Sequence, residues 1–355
     1  MDFDIWYSML RISYKIKNNL LRKYGSTEKI YVNMINNRLE NKDLNEKLKK
    51  SYDQNKIDNI KKRIIENRIN YVKYTDIEYP SRLKKYDDSP TILFYMGNLE
   101  GLNKIKNVGI VGSRKCTHYG INVTKLIVEE LCKYKVNIIS GMARGIDTAA
   151  HQYAIKSGGF TCAVLGSGLD IIYPKENVKL FNEILLDGCI ISEFSPETEP
   201  FNYNFPIRNK TISGLSDLIV VTEADAKSGS IITATEALEQ GKEVMAVPGS
   251  IFSSLSRGTN KLIKEGAYPL CCIEDLLYIL GIENIKSENI KMNKLNDVEL
   301  SICNKISDTP IHFNDIIRIS NIDIKHLYEV LFELQLKNEI ICIPGNYYVR
   351  VHKSI

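Results

Sequence analysis

The chain reads as an α/β protein built on a doubly wound, mostly parallel sheet, preceded by a helical domain and followed by a small helix-and-hairpin unit. Three observations carry this reading. Short β-rich apolar runs recur between residues 107 and 249, amphipathic helical stretches alternate with them, and helical spacing without a proline fills the first 72 residues.

Taken in order, residues 1–72 place apolar side chains at Leu20, Leu21, Ile30, Met34, Ile35 and Leu39, which predicts a helical domain, SAM-like or similar. Sixteen Lys/Arg face nine Asp/Glu there, and charge runs of this kind are normally solvated faces. The stretch DIEYPSRLKKYDDSPTILFYMGNLEGL (76–102) holds two prolines among short apolar pieces, which suits an extended strap leading into a domain spanning 73–282. Strands are expected at NVGIVGS, VNIISG, FTCAVLG, CIISEFS, DLIVVTEA and EVMAVPG, and helices at THYGINVTKLIVEELCKY, GIDTAAHQYAIKSG and VKLFNEILLDG. Alternation of this kind makes a parallel sheet covered by helices on both faces. A polar run then predicts a linker over 283–295. Within 296–355, three amphipathic helices (NDVELSICNKI, HFNDIIRIS, DIKHLYEVLFELQLKN) and a hairpin turning at Pro344-Gly345 suggest a winged-helix-like domain.

Composition narrows the function classes. The chain has 355 residues, 44% apolar and 25% charged, enough for a large buried core. Its N-terminus, MDFDIWYSML, puts acids where a signal peptide needs bases, and no apolar run approaches the roughly 18 residues of a membrane span. A cytoplasmic protein with no membrane partner is expected. The eight cysteines, at 116, 132, 162, 189, 271, 272, 303 and 342, show neither a C-x-x-C pair nor zinc-like spacing, so buried free thiols and no metal are expected. A formal net charge of +4 does not by itself indicate a polyanionic partner; placement of the charges has to.

Ligands of open α/β sheets bind outside the carboxyl ends of the strands. The segments that follow the expected strands are Gly112-Ser113-Arg114, Ser140 to Gly145, Gly166 to Gly168 leading to Tyr173-Pro174-Lys175-Glu176-Asn177, the long loop PETEPFNYNFPIRNK, and AKSGSIITATEA, where Ser228-Gly229-Ser230 opens a helix. Small residues at helix openings leave backbone N–H groups and positive dipole ends facing one rim. Arg114, Arg144, Lys175, Arg208 and Lys210 all fall in these loops, which points to a polyanion site. Phe201, Tyr203 and Phe205 interleave with polar residues just before Arg208 and Asn209, as suits single-stranded nucleic acid, whose bases stack while cations follow the backbone. Anchoring of a long loop is the other reading of these aromatics.

Enzymatic readings compete. A dinucleotide site wants G-x-G-x-x-G, whereas the first turn here runs Gly109-x-x-Gly112-Ser113-Arg114 with no acid placed for a ribose. GSIITATE (229–236) resembles the G-G-x-G-T-x-x-E loop of phosphoribohydrolases of the lysine-decarboxylase-like group, with Glu236 as the ribose ligand, but its second glycine is replaced and Ile231-Ile232 crowd the turn. Asp147 and His151, spaced i,i+4, could form an acid–base pair or simply hold their helix in place.

With these residues in view, the chain resembles the DNA-processing protein A family, also called Smf, through GIVGSRKCTHYG, IISGMARGIDTAAHQYAI, AVLGSGLDIIYPKEN, ISEFSP, FPIRNKTISGLSDLIVVTEADAKSGSIITATEALEQGKEVMAVPGS and GTNKLIKEGA. These segments stand in family order across about residues 74–270. The resemblance implies a Rossmann-like core, often with an N-terminal helical domain and a C-terminal winged helix, acting as a homodimer. It implies a non-enzymatic, cofactor-free, sequence-independent single-stranded DNA binder that protects incoming DNA during natural transformation and helps load the RecA recombinase. Position by position, it assigns DNA contact to Gly112, Ser113, Arg114, Lys175, Asn177, Arg208, Asn209 and the loop Lys227, Ser228, Gly229, Ser230. Lys210 stands where many relatives have arginine, giving a point charge in place of a fork. The third C-terminal helix mixes Asp323, Glu329 and Glu333 with Lys325, His326 and Lys337, which suits protein contact or regulation better than a DNA groove.

Overall fold

The computed structural model describes residues 1–282, 295–307, 309–320, 322–337 and 339–351. The chain divides into two compact units, residues 1–282 and the residues from 283 onward. Among the described residues no helix is long and apolar enough to cross a membrane.

Five helices open the first unit: α1 (Asp2–Met9), α2 (Tyr14–Tyr24), α3 (Thr27–Ile35), α4 (Lys42–Lys50) and α5 (Gln54–Glu66). Four of them begin where a short polar residue stands just before the periodic run. The side chains of Ser13, Ser26, Asn41 and Asp53 each accept a hydrogen bond from a first-turn backbone N–H of the helix they precede. Gly25 ends α2 in the left-handed region, at φ +83°. Trp6, Ile30, Met34, Leu48, Ile57 and Ile60 are fully buried between these helices, while Ile35 stays half exposed. Their cluster continues without a break into Ile92, Phe94, Leu180 and Ile190, so the helices and the following sheet share one core. The expected boundary at residue 72 falls inside the first strand, β1 (Asn70–Lys73).

The sheet consists of β1, β2 (Ile92–Gly97), β3 (Asn107–Val111), β4 (Asn137–Ser140), β5 (Thr161–Val164), β6 (Cys189–Ser192), β7 (Leu218–Val221), β8 (Glu243–Ala246) and β9 (Tyr268–Pro269). Its spatial order is β1-β2-β6-β5-β4-β3-β7-β8-β9. From β6 to β9 all pairs are parallel, and β1 and β2 are added antiparallel at one edge. β3 through β7 are buried along their whole length, the signature of strands covered on both faces. The covering helices are α6 (Gly101–Lys104), α7 (His118–Lys133), α8 (Ile146–Lys156), α9 (Val178–Asp187), α10 (Asn204–Leu215), α11 (Gly229–Glu239), α12 (Arg257–Lys264) and α13 (Ile273–Ile279). The chain winds outward from β3 through β4, β5 and β6, then returns to lay β7 against the other side of β3. The direction of winding therefore reverses between β3 and β7, which is where such sheets bind ligands.

Two expectations change. The strap over 76–102 contains a true sheet strand, β2, whose Phe94 to Gly97 pair with Ser192 to Cys189. The long loop after β6 is shorter than expected, because α10 begins at Asn204 and takes Pro206 and Arg208 into its first turns. Proline is tolerated there since the first N–H groups of a helix lack intrahelical partners anyway.

The second unit contains α14 (Asp297–Cys303), β10 (Ile311–His312), α15 (Phe313–Ser320), α16 (Ile324–Leu336), β11 (Ile340–Ile343) and β12 (Tyr347–Arg350). Its strands form a small antiparallel sheet in the order β10-β12-β11 over a core including Ile302, Ile316, Leu327, Leu331 and Tyr348. The expected linker over 283–295 lies, apart from its last residue, outside the described residues. Among the described residues no cysteine forms a disulfide, and Cys162, Cys189 and Cys303 are buried as expected. Cys271, Cys272 and Cys342 are instead exposed, and Cys116 and Cys132 partly so. The first two precede α13 at the surface, and Cys342 lies in β11 beside Ile341, which is exposed as well.

Candidate nucleic-acid interface

The turn after β3 is held by Glu223 just beyond β7. The Ser113 N–H donates to the Glu223 main-chain carbonyl at 2.6 Å, and the Glu223 carboxylate accepts from the Thr117 N–H at 2.8 Å and the Thr117 hydroxyl at 2.6 Å. Thr117 in turn caps α7. A Cβ on Gly112 would lie 2.6 Å from Ile146 Cγ1 and 3.0 Å from the Glu223 carbonyl oxygen, and one on Gly145, at φ +76°, would strike the Ser113 carbonyl. These two glycines let the turns after β3 and β4 pack together at the winding reversal.

Between the turns after β3 and β7 opens a cavity of about 840 Å³, lined on one side by Gly112, Ser113, Arg114 and Lys115 and on the other by Lys227, Ser228, Gly229 and Ser230. Arg208 and Asn209 of α10 contribute its floor. Arg114, Lys115 and Lys227 are exposed and form no ion pair among the described residues. The Ser228 hydroxyl accepts from the Ser230 N–H at the start of α11. Asn209 Nδ2 donates to the Gly229 carbonyl at 3.2 Å, tying α10 to that loop. Beneath the cavity, burial raises the Asp147 carboxyl pKa above its ordinary value, opposed by the charges of Arg208 and Arg114 and by backbone N–H donors. Asp147 and His151 are not joined as an acid–base pair: Asp147 accepts from the Ala143 N–H, and His151 Nδ1 bonds Thr161 Oγ1 at 2.7 Å.

The other expected cations are placed differently. Arg208 is only 4% exposed, and its Nη1 donates to the carbonyls of Gly141 and Val164, both at 2.6 Å. Its Nε donates to Asn209 Oδ1 at 3.1 Å, and burial lowers its pKa to about 10. A side chain on Gly141 would occupy the space of this guanidinium. Asn177 is also buried, its Nδ2 donating to the Met142 carbonyl and Thr148 Oγ1. Arg144 is paired with Glu176, its Nε at 2.6 Å from the carboxylate. Lys210 faces away from the cavity, 3.4 Å from Glu236 and 3.7 Å from Asp88, which also engages the acid that the phosphoribohydrolase comparison would assign to a ribose. Lys175 is exposed at the outer edge and does not line the cavity.

Two further features define the cavity. Lys115, next to Arg114 in sequence, lines it alongside that arginine. Phe205 stands between two guanidinium groups, with Arg114 5.2 Å and Arg208 5.8 Å from its ring centroid. The ring thus links the buried arginine to the exposed one. Among the described residues no cluster of three or more His, Cys, Asp or Glu side chains is placed to hold a metal ion.

Fold and site together define a Rossmann-like α/β protein whose sheet rim presents unpaired cations and helix openings at the reversal of winding. The chain belongs to the DNA recombination-mediator protein A family, whose model matches residues 70–281. DNA processing protein DprA of Bacillus subtilis is 42% identical over 209 residues, covering 59% of this chain and 70% of that one. Among solved structures, DprA from Streptococcus pneumoniae superposes with a TM-score of 0.67 at 33% identity, covering 78% of this chain and 97% of that one. DNA processing protein A from Helicobacter pylori, whose structural report concerns a single-stranded DNA binding mode, gives 0.54 at 31% identity, covering 59% and 95%.

Proposed function

We propose that this protein binds single-stranded DNA without regard to sequence, shields it as it enters the cell in natural transformation, and hands it to the RecA recombinase. The observation that carries the reading is the rim cavity, where Arg114, Lys115 and Lys227 stand beside the opening of α11 with no ion-pair partner among the described residues. Cations of this kind neutralise successive phosphates, and no base-reading fork is needed for that. The likeness to the Helicobacter pylori protein, with its single-stranded DNA binding mode, supports the strand as ligand.

Within this proposal the contact set is Gly112, Ser113, Arg114, Lys115, Asn209 and the loop 227–230, with Lys175 at the edge. Arg208 and Asn177 shape the site from beneath, and Arg144 and Lys210 are compensated by their acids. The protein acts in the cytoplasm as a homodimeric binder with no turnover of its own, and its second unit serves as a winged helix for protein contact or regulation. Fluorescence-anisotropy titration against single-stranded and duplex oligonucleotides at two salt concentrations tests the reading. Tighter, salt-steep binding of the single strand is expected, with a log–log slope of about −0.7 per neutralised phosphate. Equal affinity for duplex, or release of free base from a nucleoside monophosphate, would overturn it.

A further inference from the structure

Beside the rim lies a second cavity, of about 900 Å³, that the proposal above does not use. Its walls come from the turn between α1 and α2, from α2, from the segment after β6, and from the face of α10 carrying Ile207, Lys210 and Thr211. The opposite face of α10, with Arg208, Asn209 and Ile212, lines the rim cavity. The helix is thus a partition, and the segment entering it straddles both spaces: Asn202 lines the rim cavity, while Phe201 and Tyr203 line the second.

The charges of this cavity are arranged in two zones. Those in its wall are largely compensated, Lys210 by Asp88 and Glu236, and Glu197 by Arg63 at 2.8 Å. Its buried floor holds Glu193, which accepts from Thr211 Oγ1 at 2.9 Å. Burial lifts the pKa of this carboxyl, opposed by hydrogen bonds from Tyr14 and Thr211 and by the charges of Lys17 and Arg208. Arg11 and Lys56 are exposed lining residues and form no ion pair among the described residues. Phe201 and Tyr203, 49% and 62% exposed, stack on each other with centroids 5.4 Å apart and planes 11° from parallel. A compensated interior, flat aromatic faces and free cations at the surface correspond to the parts of a nucleotide, base inward and phosphate outward.

We propose that this second cavity receives bases of the single strand held on the rim, the strand crossing the N-terminal end of α10. The inference rests on the single-strand reading of the rim, and the strand is favoured over a free nucleotide because Phe201, Asn202 and Tyr203 make the two cavities neighbours along three consecutive residues.

The test uses the full-length protein, oligothymidylates of increasing length, and oligonucleotides carrying 2-aminopurine at successive positions. Tyr203→Ala and Phe201→Ala are expected to weaken binding by about fivefold or more, with the loss growing as the oligonucleotide lengthens. They should also remove the fluorescence change at one contiguous group of 2-aminopurine positions. Arg114→Ala should instead weaken every length. Variants that bind long oligonucleotides as tightly as the parent, with an unaltered 2-aminopurine profile, would overturn the inference and leave the rim reading standing. A parent protein that binds no single strand would overturn both. Saturable binding of adenosine monophosphate that Tyr203→Ala abolishes, with the oligonucleotide profile unchanged, would show a free nucleotide to be the occupant and overturn the strand as its source.

Discussion

The two sides of the sheet rim hold similar cations in opposite states. In the crevice between β3 and β7, Arg114, Lys115 and Lys227 face open volume, with no acid partner among the described residues. Elsewhere, Arg144 is held by Glu176, Lys210 by Asp88 and Glu236, and Arg208 is enclosed by two carbonyls. A cation already paired or buried gives little to an incoming phosphate, since its own partner must first be displaced. Charge in a loop therefore marks a binding site only where the fold leaves it uncompensated.

The sharpest way to break this contrast is Arg208→Ala. If Arg208 is a strut, its loss strands the Gly141 and Val164 carbonyls and removes a cation from beside Asp147. Unfolding free energy should then fall by about 3–5 kcal/mol, read by urea denaturation. A stability change under about 0.5 kcal/mol together with weakened DNA binding would make it a surface phosphate ligand instead.

The same enclosed side should fail first in acid. His151 is buried with Nε2 unpartnered, and burial first, then the charge of Arg208, lower its pKa from the ordinary 6.5 to about 3. Its folded pKa lies below the unfolded one, so its contribution to stability is complete above about pH 6.5 and is lost as pH falls toward 3. The loss amounts to a few kcal/mol at most, because each tenfold drop in proton affinity on folding is worth about 1.4 kcal/mol. Asp147, with its raised pKa, acts in the opposite sense, so comparing the parent with His151→Asn isolates the histidine. The variant should show a flatter acid limb in urea midpoints measured against pH, and an unchanged limb would contradict the assignment.

On the open side, Arg114→Ala should weaken single-strand binding about tenfold, equivalent to about 1.4 kcal/mol, with little change in melting temperature because the side chain is exposed. The smallest effect is expected for Arg144→Ala. Its partner Glu176 is exposed as well, and such pairs contribute about 0–1 kcal/mol. Both stability and affinity should stay within about 0.5 kcal/mol of the parent by melting and anisotropy.

Much of this architecture was legible because strands buried on both faces write continuous apolar runs. β9 was not legible, being two residues long, and the start of α10 was hidden by Pro206. Within the site, the turns after β3 and β7 were found because their glycines and serines are contiguous in sequence. The fate of the cations was not, since it depends on distant residues. Arg208 is enclosed because Gly141 has no side chain, and Arg144 is neutralised by Glu176, 32 positions away. Lys210 is turned from the crevice by its place on the outer face of α10.

The contrast is tested most directly by the salt dependence of single-strand affinity in the parent, Arg114→Ala and Arg144→Ala, measured on one unstructured oligonucleotide. Release of counterions predicts a log–log slope shallower by about 0.7 for Arg114→Ala, which loses one phosphate contact, and a parental slope for Arg144→Ala. Equal flattening in both variants, or a parental slope in Arg114→Ala, would contradict the assignment of the open crevice as the phosphate site.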